Sequence, residues 1–444
     1  MGIAKGAASI KPDACPDPKS RTTFQGHTLG IDFGTTNSVV AIASPNGHVE
    51  TLSWPTALGP TQTFRTALMF WREGRQTMHV AGPKAIERAI APETDQRFIQ
   101  SIKTHLASAL FTETRLYGER FTIERLIATF LSHLLDEIPA DALKTVPVAG
   151  GRPVIFAGER PDEELAVTRL KSAYAEAGLP QVALAYEPLG AAYWYARNLE
   201  RDETVLVADF GGGTSDFSVL RFHRDRKGLQ TKALAHTGIG IAGDTFDYRI
   251  IDHVVAPRLG KGTSFRSLEK LLPIPAYFYA AFAQWHQLSW LKSGSTLAEL
   301  KKLAAVSEHP RMIEDLHALI EMDLGFELYR TVSTFKAELS SSAQAAFRFD
   351  REGICIEAEV KRGDFEAWIA GDLAKIKEAM EAAVSKAGLE LKDIDAVFMT
   401  GGTSFVPAVR NLFLSRFGEE RIHVGDAFQS VASGLALLAL DQAR

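Results

Sequence analysis

From Thr28 onward, short apolar runs rich in β-branched residues alternate with glycine turns and with longer stretches of helical periodicity. The run "TLGIDFGTTNSVVAIAS" sets two apolar segments around a Gly-Thr-Thr turn and predicts a β-hairpin, with "HVETLSW" as a third strand. From about Ala57 to Ile138 the pattern is mixed and then helical. Beyond it, "VPVAGGRPVIFAG" reads as a buried strand and "DEELAVTRLKSAYAEAGL" as a helix ending at glycine. "QVALAYE" then reads as a strand and "PLGAAYWYARNL" as a helix. The second half repeats the plan. "ETVLVADFGGGTSDFSVLRF" is strand, glycine turn and strand, and "TKALAHTG" is a third strand. "DLAKIKEAMEAAVSKAGL" is a helix, "DAVFMT" a strand and "SFVPAVRNLFLSRF" a helix beyond the turn "GGT". A three-strand hairpin followed by helix, strand and helix thus occurs twice, which predicts a duplicated α/β fold with two lobes around a cleft. Lobe I is expected over residues 28–200 with an inserted subdomain at about 57–138, and lobe II over 201–444 with a helical insert at about 247–334. Residues 1–27, containing the proline-rich "KPDACPDPKSRT", lack periodicity and read as a flexible arm.

Composition narrows the function classes. A formal net charge of -5, with 46% hydrophobic and 23% charged residues, is globular and carries no basic excess for nucleic acid. The apolar run "GLALLAL" is far short of the ~20 residues that span a bilayer, and the N-terminus has no apolar signal core, so a cytoplasmic protein without membrane attachment is expected. Cys15 and Cys355 neither pair by spacing nor form a zinc motif; Cys355, inside "GICIEAEV", reads as a small core residue. Tyr277, Trp285 and Trp290 of the helical insert read as core aromatics.

Two turns carry the candidate chemistry, "DFGTTN" from Asp32 and "DFGGGT" from Asp209. A protein-kinase reading of their Asp-Phe-Gly triplets fails, because His223-Arg224-Asp225 and Ala91-Pro92-Glu93 stand in the wrong order around them. "GIGIAG" at Gly238–Gly243 satisfies a dinucleotide template, but no strand closed by an acidic residue follows it. Glycine turns let backbone N–H groups approach a phosphate, and neighbouring threonines add hydroxyl donors. Asp32 and Asp209, each at a strand end, are placed to hold hydrated magnesium or orient a water there. Repeated in equivalent places, the two turns predict a clamp on a polyphosphate. Gly401-Gly402-Thr403, between a buried strand and a helix, predicts a nucleoside contact, and Glu187-Pro188 is the matching turn of the first half.

In order, "GIDFGTTNSVVA", "VADFGGGTSDFSV" and "VFMTGGTSFVPAV" resemble the two phosphate motifs and the adenosine motif of the actin-like ATPase superfamily, whose fold is ribonuclease H-like. The first two are most similar to the seventy-kilodalton heat-shock chaperones. "YEPLGAAYWYA", "IAGDTFDYRI", "KAELSSS" and "SIKTHL" resemble further segments of that family, and the likeness spans about Thr28 to Leu440. It implies ATP and Mg2+ as ligands, the metal being organised through water by Asp32 and Asp209. It places Gly34, Thr35, Thr36 and Asn37 on one phosphate hairpin and Gly211, Gly212, Gly213 and Thr214 on the other, Thr214 touching the γ-phosphate. Lys103 and Glu187 would position and polarise the attacking water, a solvated helical lysine being the alternative for Lys103. Gly243, Lys336, Ser340, Gly401, Gly402 and Thr403 would frame ribose and adenine. Ala337 and Phe405 stand where the family has arginines beside adenine, which implies weaker binding, and Gly158 replaces a proline in "IFAGERP". The expectation is a slow ATP hydrolase like the nucleotide-binding part of such a chaperone, without a peptide-binding domain, acting with a protein client or co-chaperone. A nucleotide-sensing scaffold and a small-molecule kinase of the same superfamily are the alternatives.

Overall fold

The first strand, β1 (Thr28–Phe33), is buried apart from the partial exposure of Asp32, and its apolar residues place it at the middle of a sheet. It pairs antiparallel with β2 (Asn37–Ala43), which carries β3 (Val49–Thr51) and the two-residue β4 (Phe64–Arg65). On its other side run β10 (Val148–Arg152) and β11 (Val182–Tyr186), both parallel. The second large sheet has the same design: β12 (Glu203–Phe210), β13 (Ser215–Asp225) and β14 (Gly228–Ile239) form the antiparallel part, while β19 (Ala396–Thr400) and β20 (Ile422–Val424) are parallel to β12. The duplicated α/β plan expected from the sequence is present in order and direction. The structure is a computed structural model that describes residues 24–56, 59–90, 95–156, 160–197, 199–225, 228–283, 291–424 and 430–444. Residues 1–23 of the arm, Ala91-Pro92-Glu93, Gly158, Trp285 and Trp290 lie outside the described residues.

Between β4 and β10 the chain adds the sheet β6 (Gln76–Ala81), β5 (Ala67–Glu73), β7 (Gln96–Gln100), the hairpin β8 (Glu113–Leu116) and β9 (Glu119–Thr122), and helices α1 (Pro83–Ile90), α2 (Ile123–Leu134) and α3 (Ala140–Leu143). Helix α4 (Glu163–Glu176) is capped by the Asp162 carboxylate, which accepts from Leu165 N at 2.9 Å, and ends before Gly178 at φ +94°. Helix α5 (Glu187–Ala196) follows β11 directly, started by Pro188 in its first turn. After β14 come α6 (Gly243–Ile250), the hairpin β15 (Ser264–Ser267) and β16 (Lys270–Pro273), and helices α7 (Tyr277–Ala280), α8 (Gly294–Val306), α9 (Pro310–Glu321) and α10 (Gly325–Ser341). The hairpin β17 (Gln344–Arg351) and β18 (Ile354–Lys361) leads to α11 (Arg362–Lys386), α12 (Pro407–Phe417) lies beyond β19, and α13 (Ser430–Gln442) is the last described helix.

Two readings need correction. Cys355 is exposed, because β18 alternates and buries Ile354 and Ile356 on its other face. Tyr277 is 47% exposed: its hydroxyl donates to the exposed Glu299 at 2.7 Å, so the ring is held at the surface rather than in the core.

One apolar core joins Leu29 and Ile31 of the first sheet to α2 and α4; another joins Leu206 and Phe217 of the second to α6, α10 and α11. A third is shared, with Ala149 of β10, Val205 and Val207 of β12, Ala191 of α5 and Leu435 of α13. There α5 and α13 touch through glycine: a Cβ on Gly434 would lie 1.8 Å from the Gly190 carbonyl oxygen. Likewise a Cβ on Gly30 would lie 2.0 Å from the Ala432 carbonyl oxygen, so α13 rests directly on β1.

Candidate functional site

The two glycine turns sit at corresponding corners of the two sheets, where each first hairpin reverses. In the first, a Cβ on Gly34 would meet the Asn37 carbonyl oxygen at 2.1 Å, so the reversal needs glycine. In the second, Gly211 N donates to Thr214 O at 2.8 Å. The turns face each other closely: a Cβ on Gly212 would come within 2.6 Å of Thr36 Oγ1 and 3.3 Å of the Asp244 carboxylate. Asp244 N, at the start of α6, donates to Gly212 O at 2.8 Å and ties that helix to the second turn.

Beside the turns, Lys103 Nζ donates to Glu187 Oε1 at 2.6 Å, and both side chains are largely buried, at 8% and 14% exposure. Lys103 lies on a 3-10 turn (Ile102–His105) entered through Ser101 at φ +54°. Arg169 of α4 pins the following segment by donating to the carbonyls of Leu106, Ser108 and Phe111 at 2.9–3.0 Å. Glu187 begins α5, and a Cβ on Gly151 would come within 3.0 Å of its Cγ, so the side chain passes close over β10.

Carboxylates crowd this corner. Burial, then the Glu187 charge, pushes Asp32 up to about 7 against a partial opposing pull from Lys103. Asp209 is raised well above the carboxylate range by burial and by Glu187, Asp216 and Asp32. Asp216 is pushed up to about 6, chiefly by burial. Burial alone would depress the Lys103 ammonium, but Glu187, Asp32 and Asp209 together hold it above its ordinary value. The buried Tyr174 hydroxyl, which has no hydrogen-bond partner among the described residues, is raised by burial and by Asp32 and Glu187. Such mutual repulsion is what a cation would relieve. Among the described residues no three His, Cys, Asp or Glu side chains converge closely enough to hold an ion directly. The carboxylate oxygens crowded here are of the kind that a hard cation takes.

On the other side, Lys336 Nζ of α10 donates to Gly243 O at 3.1 Å and pairs with the Asp247 carboxylate at 2.8 Å. A Cβ on Gly243 would lie 3.1 Å from Thr403 Oγ1 and 3.3 Å from Lys336 Nζ, so α6, α10 and the third glycine turn converge at this point. Ser340 Oγ donates back to Lys336 O at 2.9 Å, one helical turn away. Gly401 has φ +87°, and a Cβ there would lie 1.9 Å from the Phe210 carbonyl oxygen, which locks the third turn onto the end of β12 beside the second. Phe405 is 54% exposed just beyond it, and Ala337 is exposed next to Lys336.

Close approaches thus join the first turn to the second at Thr36 and Gly212, the second to the third at Phe210 and Gly401, and the third to α6 and α10 at Gly243, and Asp216, Asp244, Asp247 and Arg65 lie among them. Asp244 and Asp247 fall within "IAGDTFDYRI", from which the sequence singles out only Gly243. Arg65 belongs to no motif; only the pairing of β4 with Asn37 brings it to the site.

The family model for Hsp70 protein matches residues 79–263 and 323–440 of the chain. The chain is 26% identical over 417 residues to "Chaperone protein DnaK" of Thermotoga petrophila and, equally, to that of Thermotoga sp. strain RQ2. In each case the match covers 93% of this chain and 59% of the relative, so the chain spans less than two thirds of the length of the curated relatives it matches.

Proposed function

Because the chain belongs to the Hsp70 protein family, we propose that it binds ATP with Mg2+ between two lobes, 28–200 and 201–444, and hydrolyses it slowly. The observation that supports this most is the close approach of the two glycine turns, Thr36 against Gly212, beside the buried Lys103–Glu187 pair. Two such turns present backbone N–H groups and hydroxyls to one polyphosphate from both sides.

In this reading the backbone of Gly34 to Asn37 and of Gly211 to Gly213 holds the phosphates, and the Thr214 hydroxyl donates to the terminal one. Lys103 Nζ lies against a phosphoryl oxygen and stabilises the charge that develops there. Glu187, within 2.6 Å of that ammonium, orients the attacking water and accepts its proton at a carboxylate oxygen. Asp32 and Asp209 would hold Mg2+ through water, and the ion would offset the charge of phosphates and carboxylates together. Gly243, Lys336, Ser340, Gly401, Gly402 and Thr403 frame the nucleoside.

Single-turnover hydrolysis by wild type and by Thr214→Ala tests the enzyme reading. A measurable wild-type rate that falls about 10²-fold or more in the variant is expected; equal background rates leave a nucleotide-sensing scaffold instead. A chaperone role in the cytoplasm, with a protein client or co-chaperone, is the extension of this reading that family membership supports. Failure to suppress aggregation of a model client, with and without ATP, removes it.

A further inference from the structure

Arg65 is a cation whose surroundings the proposed function leaves unexplained. Its backbone is fixed to the first glycine turn: β4 pairs Arg65 with Asn37, Thr66 N donates to Thr36 O at 2.9 Å, and the Ser38 and Thr66 hydroxyls lie 2.9 Å apart. Its guanidinium has five N–H donors. Among the described residues the one side-chain hydrogen bond it makes is to Asn37 Oδ1, at 3.4 Å. The group is nonetheless half-buried, and burial pulls its pKa down while the Asp244 and Asp247 charges pull it back up.

The other cations of the cleft are engaged. Lys103 is paired with Glu187 at 2.6 Å and Lys336 with Asp247 at 2.8 Å. Arg65 has no ion pair within 4.0 Å among the described residues, although Asp244 and Asp247 face it from α6. A desolvated guanidinium with most of its donors uncommitted, carried by the strand next to a phosphate-type turn, suits an anion that offers it two acceptor oxygens side by side, as a phosphate does. The cleft needs such a group. Asp32, Glu187, Asp209, Asp216, Asp244 and Asp247 line it, and a polyphosphate would add further negative charge to them.

We propose that Arg65 is a phosphate-binding residue of this cleft, donating its guanidinium fork to the outer phosphates of a nucleoside polyphosphate, and that Asn37 holds it ready for that contact while Asp244 competes for it. The inference rests on the nucleotide-binding reading and names a residue that selects for phosphate number.

Calorimetric titration of full-length wild type, Arg65→Gln, Arg65→Lys and Asp244→Asn with ATP, ADP and AMP, each with Mg2+, tests it. Arg65→Gln is expected to weaken ATP about ten- to hundredfold and to leave AMP unchanged; Arg65→Lys, which keeps the charge without the fork, falls between. Asp244→Asn removes a competing anion and is expected to keep or tighten ATP binding. If Arg65 instead serves as a cross-cleft tie to Asp244, Arg65→Gln and Asp244→Asn weaken all three nucleotides alike, and that result overturns the proposal. An ATP-to-AMP affinity ratio unchanged in both Arg65 variants overturns it too. Should Arg65→Gln fail to fold, judged by its thermal transition, Arg65→Lys carries the comparison. A wild type that binds none of the three removes the function reading itself, and is distinguished from the other failures because it appears before any variant is compared.

Discussion

At the scale of single residues, the chemistry of the cleft is set by carboxylates held in places that disfavour their charge. Asp32 rises to about 7 and Asp216 to about 6, from a usual 3.8. Between 3.8 and those values the folded chain holds protons that the unfolded chain has lost, so these groups make stability fall as pH rises through that window and stay low above it. Without nucleotide or divalent cation, the urea midpoint is therefore expected to be lower at pH 8 than at pH 5 from this source. Asp32→Asn flattens the difference and raises the midpoint at pH 8; a steeper dependence in the variant would refute the assignment. Mg2+ acts in the same direction at pH 8, since it favours the ionised carboxylates. Lys103 is the counterweight. Lys103→Met leaves Glu187 buried without its cation and is expected to cost about 3–5 kcal/mol. Adding Glu187→Gln restores much of that stability but no hydrolysis, and the two readouts together separate structure from chemistry. Asp32, Asp209 and Glu187 are singled out in the sequence because each stands at a glycine or proline turn, and Lys103 only through the short likeness of "SIKTHL". Arg65 is not, since a two-residue strand formed by a contact with Asn37 leaves no periodic trace.

At the scale of elements, the strand–turn–strand units were readable because their apolar runs are long and glycine marks each reversal. The hairpins β15–β16 and β17–β18 were not read, and the first has both strands at the surface, all four residues of β16 being exposed, so no buried alternation announces it. Helix α13 escaped for the opposite reason. Val431, Ala432, Gly434, Leu435, Ala436, Leu437, Ala439 and Leu440 are all buried, so the segment "SVASGLALLAL" lacks the polar face that reveals a helix. Its contacts explain this, with α5 on one side through Gly190 and β1 on another through Gly30. Gly434→Ala, which would set a methyl group 1.8 Å from the Gly190 carbonyl oxygen, is expected to cost about 1–3 kcal/mol or more. Thermal melting measures that cost, and an unchanged transition would mean that α5 and α13 can move apart freely. Gly401→Ala combines a left-handed φ with a 1.9 Å clash against Phe210 and is expected to loosen the third turn from β12, lowering nucleotide affinity as well as stability.

For the whole molecule, the two sheets share one apolar cluster, and the residues of the cleft come from both. If the proposed lobes close on Mg-ATP, the radius of gyration measured by solution X-ray scattering decreases on binding. The same titration with Thr214→Ala should bind with a smaller decrease, whereas an unchanged radius in wild type would argue for a rigid cleft. The α/β class and the repeated sheet order were legible from sequence, because repetition supplies its own check. The position of the inserts against the cleft was not, because long-range packing sets it.

The seating of α13 against β1 also bears on how the chain is made. The Thr28 hydroxyl donates to the Ala436 carbonyl, 408 positions later, and the face of Gly30 is covered by the backbone of Ala432 and Ala436. At about 5–20 residues per second of synthesis, β1 waits roughly 20–80 s for the segment that covers it. During that interval the face of β1 that carries Thr28 and Gly30 stays open to solvent, whereas its Leu29 and Ile31 face can already pack on α2 and α4.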